Sequence, residues 1–338
     1  MANTQPALRQ SPRLNSARWM QRIGWLALLL ISACSDTDQA SIYNERNQPT
    51  NLAAWQLSRA EAATAEVTRL INATRAFLDN PNDASRQSLQ QAWQTAHAAW
   101  LKAAFLLPDT AEAHNNIDRW PIEPGFLDSL PNYPSSGLVN ELMLELDAET
   151  LRDQHLITDT SEAALGYHVL EYYAFERPLE SFTGTDSTSQ RRRQLLTLVA
   201  EQLLHDHLEV TRALKREDAT ADLPASQVDL LVLLNHRSEQ LFSEMNREGS
   251  HGRYSGTSIN SIAAKLETME GLMDQPPGLK QYLIDLNPAQ AESLYMLLAE
   301  VREITRDRTT LDESEASRSL LLLSAINHQL EDFVALVR

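Results

Sequence analysis

The chain has 338 residues, a formal net charge of −17 and a 43% share of apolar residues. That apolar share suffices for a packed core and excludes a disordered chain. The acidic balance excludes nucleic acid as a partner, because such a surface repels phosphate. The single cysteine, Cys34, excludes an intramolecular disulfide.

Cys34 belongs to an N-terminal pattern. Arg9, Arg13, Arg18 and Arg22 form a basic segment, and Ile23 to Ile31 is an apolar run too short to span a bilayer as a helix. Ile31-Ser32-Ala33-Cys34 then reads as a bacterial lipobox. The expectation is a signal peptide over residues 1–33, lipidation at Cys34 and a polar tether over residues 34–50. Several acyl chains give stable anchoring where one does not. With Ser35 next, the pattern resembles lipoproteins sorted to the outer membrane. The expected location is therefore the bacterial cell envelope, anchored to the membrane and facing the periplasm.

Beyond the tether, apolar spacing predicts helices over 51–78 and 84–107, the second with Trp93 and Trp100 seven residues apart on one face. Pro108 to Pro134 holds five prolines and cannot stay helical for long. A long ordered loop in a compact domain is usually functional, and this one carries Asp109, Glu112, Asp118, Glu123 and Asp128. Helices follow over 140–151, 161–175, 191–215, 224–248, 259–273, 278–285, 288–306 and 313–337, with a turn-rich loop at 249–256. No strand is expected. The fold class is all-α: two helical bundles, 51–180 and 186–338, joined by a polar linker, with duplication a natural origin for two halves of similar size.

The segment from Ala163 to Phe175 is apolar and aromatic, and His168 and Glu171 are its ionisable groups besides the tyrosines. Their i, i+3 spacing puts both on one helix face. Burying an imidazole and a carboxylate there is unfavourable unless they pair with each other or share a ligand. His236/Glu239 and His328/Glu331 repeat the spacing in settings that read as rim or solvated pairs. His205 and His207, two residues apart on a helix, cannot face one ion and read as structural or exposed.

Gly166-x-His168-x-x-Glu171 resembles the GxHxxE signature of the imelysin-like family, peptidase family M75. Ile117-Asp118-Arg119-Trp120-Pro121, continuing through Gly125 to Asp128, resembles a second motif of that family. The segment from Tyr254 to Ser258 resembles a third. The resemblance implies metal or iron-compound handling in the envelope, with iron-uptake proteins as partners. It carries Gly166, Trp120, Pro121 and Gly125 over as structural motif positions.

The candidate metal ligands are His168, Glu171 and Asp118, with Glu123 and Asp128 next. Imidazole with carboxylate suits iron or zinc better than calcium or magnesium. Metal-dependent peptidase activity is the alternative that the family's name implies. However, neither H-E-x-x-H nor H-x-x-E-H occurs, since Tyr172 follows Glu171. No catalytic set is assigned, and a non-catalytic helical interaction protein is the third reading.

Overall fold

The computed structural model describes residues 50–109, 111–216, 223–247, 251–275 and 278–338. The expected signal peptide, lipobox and Cys34 lie outside the described residues. Among the described residues the structure is helical without a β-strand, and Leu130 and Tyr133 form an isolated bridge.

Two long helices, α1 (Ala53–Asp79) and α2 (Asp83–Ala104), form an antiparallel pair. The turn between them is fixed by a capping box: the Asn82 side chain accepts from the Ser85 amide at 3.0 Å, and Ser85 Oγ accepts from the Asn82 amide at 3.1 Å. The Pro-rich stretch contains two short helices, α3 (Glu112–Asp118) and α4 (Pro124–Leu127), followed by α5 (Ala148–Gln154).

The helix expected over 140–151 forms only in its last part. Arg191 accounts for this. Its guanidinium donates to the carbonyls of Leu138, Val139, Glu141 and Leu144 at 2.9–3.2 Å, stapling the backbone into turns. The helix expected over 161–175 starts late, at α6 (Tyr167–Glu171), and widens into a π-helix over Tyr172–Glu176. Gln90 and Arg86 of α2 donate to the Ala174 carbonyl in that segment at 3.0 and 2.9 Å. This satisfies an acceptor at the irregular end of the helix.

The remaining helices are α7 (Ser187–Leu214), α8 (Gln227–Met245), α9 (Ser258–Met273), α10 (Leu279–Leu286), α11 (Pro288–Thr305) and α12 (Glu313–Val337). Helix α7, expected to open the second bundle, packs on α1 and shares the core of the first group. Leu195, Leu196, Val199 and Leu203 of α7 belong to the same buried cluster as Val67, Leu70, Trp93 and Tyr167. The break in packing therefore follows α7 instead of preceding it. Helices α8 to α11 form the second group, and Asn327 and the Gln329 carbonyl tie α12 to α8 and α11.

Arg237 of α8 pins the second group to the first. It donates to the carbonyls of Phe105 (2.9 Å) and Leu107 (2.6 Å), just beyond the end of α2. Lys102 of α2 pairs with Glu267 of α9 at 2.7 Å.

His205 is exposed, and His207 is buried under the same core. His207 Nε2 lies 3.2 Å from the Tyr167 hydroxyl, which donates to the Ala96 carbonyl at 3.0 Å. Burial pushes the His207 imidazole down to about 3 from 6.5. A depressed histidine costs stability once pH falls below its unfolded value, because the unfolded chain then takes up a proton that the folded chain refuses. His207→Gln removes that term. By urea unfolding, its stability deficit relative to wild type should shrink by about 2–3 kcal/mol between pH 7 and pH 4.5. A deficit that does not change with pH would contradict a neutral buried imidazole.

Candidate metal centre

Four side chains converge between the two helical groups: His97 of α2, Asp118 at the end of α3, His168 of α6 and His251 from the loop before α9. One ligand atom from each lies within 4.8 Å of all the others. Asp118 is the hub. Its Oδ1 lies 2.9 Å from His97 Nε2 and 3.3 Å from His168 Nε2, and its Oδ2 lies 3.5 Å from His251 Nε2. The His168 and His251 Nε2 atoms are 3.2 Å apart.

Local structure explains each placement. His97 stands on the buried face of α2 between Trp93 and Trp100, with its ring stacked on Trp93 at 4.7 Å between centroids. The indole of Trp93 donates to the Tyr167 carbonyl at 2.8 Å, holding the start of α6 against α2. Gly166 precedes α6 with φ +98°, and a Cβ there would sit 2.7 Å from the Ile117 carbonyl oxygen. Only glycine lets α6 approach the α3 backbone this closely in that conformation. Gly166 thus brings His168 to Asp118. The His155 ring, between Asn115 and Ala164, ties the same two segments at 3.0 and 3.1 Å.

Glu171 stands behind His168, outside the four-residue cluster. Its Oε2 accepts from His168 Nδ1 at 2.6 Å, and its Oε1 accepts from the Ser255 amide (2.8 Å) and hydroxyl (2.7 Å). This carboxylate–histidine pair fixes the ring so that Nε2 faces the cluster, as outer partners of metal-binding histidines commonly do. Glu123 and Asp128 are not brought to the cluster. Glu123 is exposed and caps α4 through the Gly125 amide at 3.1 Å. Asp128 is buried and takes two of the three guanidinium nitrogens of Arg192, Nε at 2.5 Å and Nη2 at 2.8 Å. Trp120 packs on the His168 ring with centroids 4.9 Å apart, and the Trp120–Pro121 peptide is cis.

Two ligand candidates escaped sequence reasoning. His97 lies four residues from Trp93 and three from Trp100, so helical periodicity already puts it on their face. His251 sits in a glycine-containing turn with no periodic signal. The other histidine–glutamate pairs are exposed, and His236 is held by Asp109 at 2.8 Å.

The electrostatics favour a cation. Burial opposes charge on His168, but Asp118 and Glu171 outweigh it and raise the imidazole to about 9. Burial likewise opposes ionised Asp118 and Glu171, and the facing histidines outweigh it and lower both, Asp118 strongly. Burial keeps His251 neutral. Two buried carboxylates therefore flank the His168 ring, with the neutral His251 ring beside them.

Three imidazoles and a carboxylate form a donor set suited to iron or zinc. Bonds of ~2.0–2.1 Å in a tetrahedral site place ligand atoms about 3.3 Å apart, close to the 2.9–3.5 Å spacings around Asp118. His251 Nδ1 is buried without a hydrogen-bond partner among the described residues.

Comparison with known proteins agrees with this fold. A crystal structure of an iron-regulated protein A precursor from Parabacteroides distasonis ATCC 8503 superposes with a TM-score of 0.62 at 13% identity, covering 90% of this chain and 97% of that one. An imelysin-like protein from Psychrobacter arcticum 273-4 gives 0.56 at 16% identity, covering 86% and 92%. These likenesses establish the fold, and no curated protein matches the chain. The Imelysin (Peptidase M75) family model matches residues 56–321, most of the chain, and the chain therefore belongs to the imelysin family.

Proposed function

We propose that this imelysin-family protein binds a transition-metal ion, iron in its working state, through His97, Asp118, His168 and His251, in the service of iron acquisition at the cell envelope. The observation that carries the reading is the convergence of four ligand atoms within 4.8 Å from both helical groups. Zinc satisfies the same donor set. Glu171 acts from behind, orienting His168 and keeping it basic. The fold shared with an iron-regulated protein supports iron over other metals.

Metal content decides the matter. Purified protein loaded with ferrous, ferric or zinc ion and dialysed should retain about one ion per chain, and His168→Ala should retain less than about a tenth of that. Equal retention by the variant would remove the site.

The location half of the proposal rests on Cys34. Cells fed labelled palmitate should label the wild-type chain and not Cys34→Ser. Label in the variant would contradict the anchor.

A further inference from the structure

A cavity of about 370 Å³ opens onto Asp118 and His251 from the side of α8 and α9. It is large for a bare ion and lies within the range of small-molecule sites. Its wall carries Arg237, Arg247 and Lys265. Arg237 is engaged by Asp109 at 2.5 Å and Lys265 by Glu244 at 2.5 Å. Arg247 is exposed and has no side-chain partner among the described residues. His114 Nε2, on the same wall, is buried without a hydrogen-bond partner among them.

The charges do not close without a further anion. With Asp118 assigned to the metal, Arg237, Arg247 and Lys265 face only Asp109 and Glu244 on this wall, an excess of one positive charge. A metal ion on the cluster meets only Asp118 and, behind His168, Glu171. A divalent ion is neutralised there, and a trivalent ion leaves one more positive charge. This happens in a chain whose formal net charge is −17, so the basic wall is a local feature. A guanidinium fork suits a carboxylate. Iron, unlike zinc, takes more than four ligands, so four protein donors leave positions on it that oxygen donors can fill.

From this we infer that the cavity binds a small di- or tricarboxylate, with one carboxylate on the metal and another on Arg247 and His114. The protein would then take its metal together with an organic-acid chelator. The inference rests on the metal reading above, and its test separates the two.

The probe is radiolabelled citrate in equilibrium dialysis, with and without ferric ion, on the whole protein. Cobalt(II) chloride, read by its visible absorption, reports separately on the metal cluster. The wild type should retain about one citrate per chain only with iron present, and Arg247→Glu should lower citrate affinity by about tenfold or more. Arg247→Lys should recover part of the loss. Citrate held equally without ferric ion, citrate held equally by Arg247→Glu, or inorganic phosphate displacing citrate at equal concentration would each overturn the inference while leaving the metal site standing. Failure to bind cobalt or iron at all would overturn both.

Discussion

Asp118→Asn should strip the metal while the protein stays folded. Asp118 is the shared partner of His97, His168 and His251 and the single anion in the cluster. A four-ligand site holds its ion with about 10–16 kcal/mol, so one ligand accounts for roughly 2–4 kcal/mol, a factor of about 30 to 1,000 in affinity. Asparagine keeps the size and one acceptor but loses the charge. Isothermal titration with zinc or ferrous ion reads the loss, and an affinity within a factor of about three of wild type would refute a ligand role.

The same site dictates a pH dependence. His168 must shed its proton to bind metal, and in the metal-free protein it is raised to about 9. Wild-type affinity should therefore climb as pH rises towards that value, by up to about tenfold per pH unit. Metal-free stability runs the other way. A histidine raised above its unfolded value contributes stability that is complete below about 6.5 and lost as pH rises through about 9. Metal should accordingly protect the protein most on the alkaline side.

How far the site was legible in the sequence depends on what holds each residue. His168 and Asp118 stood in recognisable spacing. His97 was visible as the third member of a helical face, but an imidazole between two tryptophans reads as packing until something is known to face it. His251 had no local signal at all. Its place is fixed by the backbone around Gly252, with φ +82°, and by the two Ser255 bonds to Glu171, a residue more than 80 positions away. The helices themselves followed from periodicity. They failed where a distant side chain captured the backbone: Arg191 takes carbonyls that a helix over 140–147 would have used. Polar residues around 176–189 look like a linker in the sequence. The apolar face of α7, which sends it back to the first core, is a tertiary fact.

Asp128 is the sharpest case of a motif acid whose work differs from the expected one, and it should separate from Asp118 in experiment. It is fully buried, and its carboxylate accepts from Arg192 Nε and Nη2 and from the Ser129 amide at 2.7 Å, with Arg177 Nε 3.5 Å away. Arg192 also donates to the Ser181 carbonyl at 2.7 Å, so the pair joins the Pro-rich loop, the 3₁₀ turn Leu179–Phe182 and α7. Both carboxylate oxygens are engaged by the Arg192 guanidinium. Removing one partner strands the other charge in the core, at a cost of roughly 3–5 kcal/mol. Asp128→Ala should therefore lower Tm by roughly 6–20 °C, and the metal bound per folded chain should stay at the wild-type value. Asp118→Asn should instead lose its metal while the chain stays folded. If Asp128→Ala instead lost its metal at unchanged Tm, the arginine pair would not be what keeps Asp128 in the core, and the loop acid would return as a ligand.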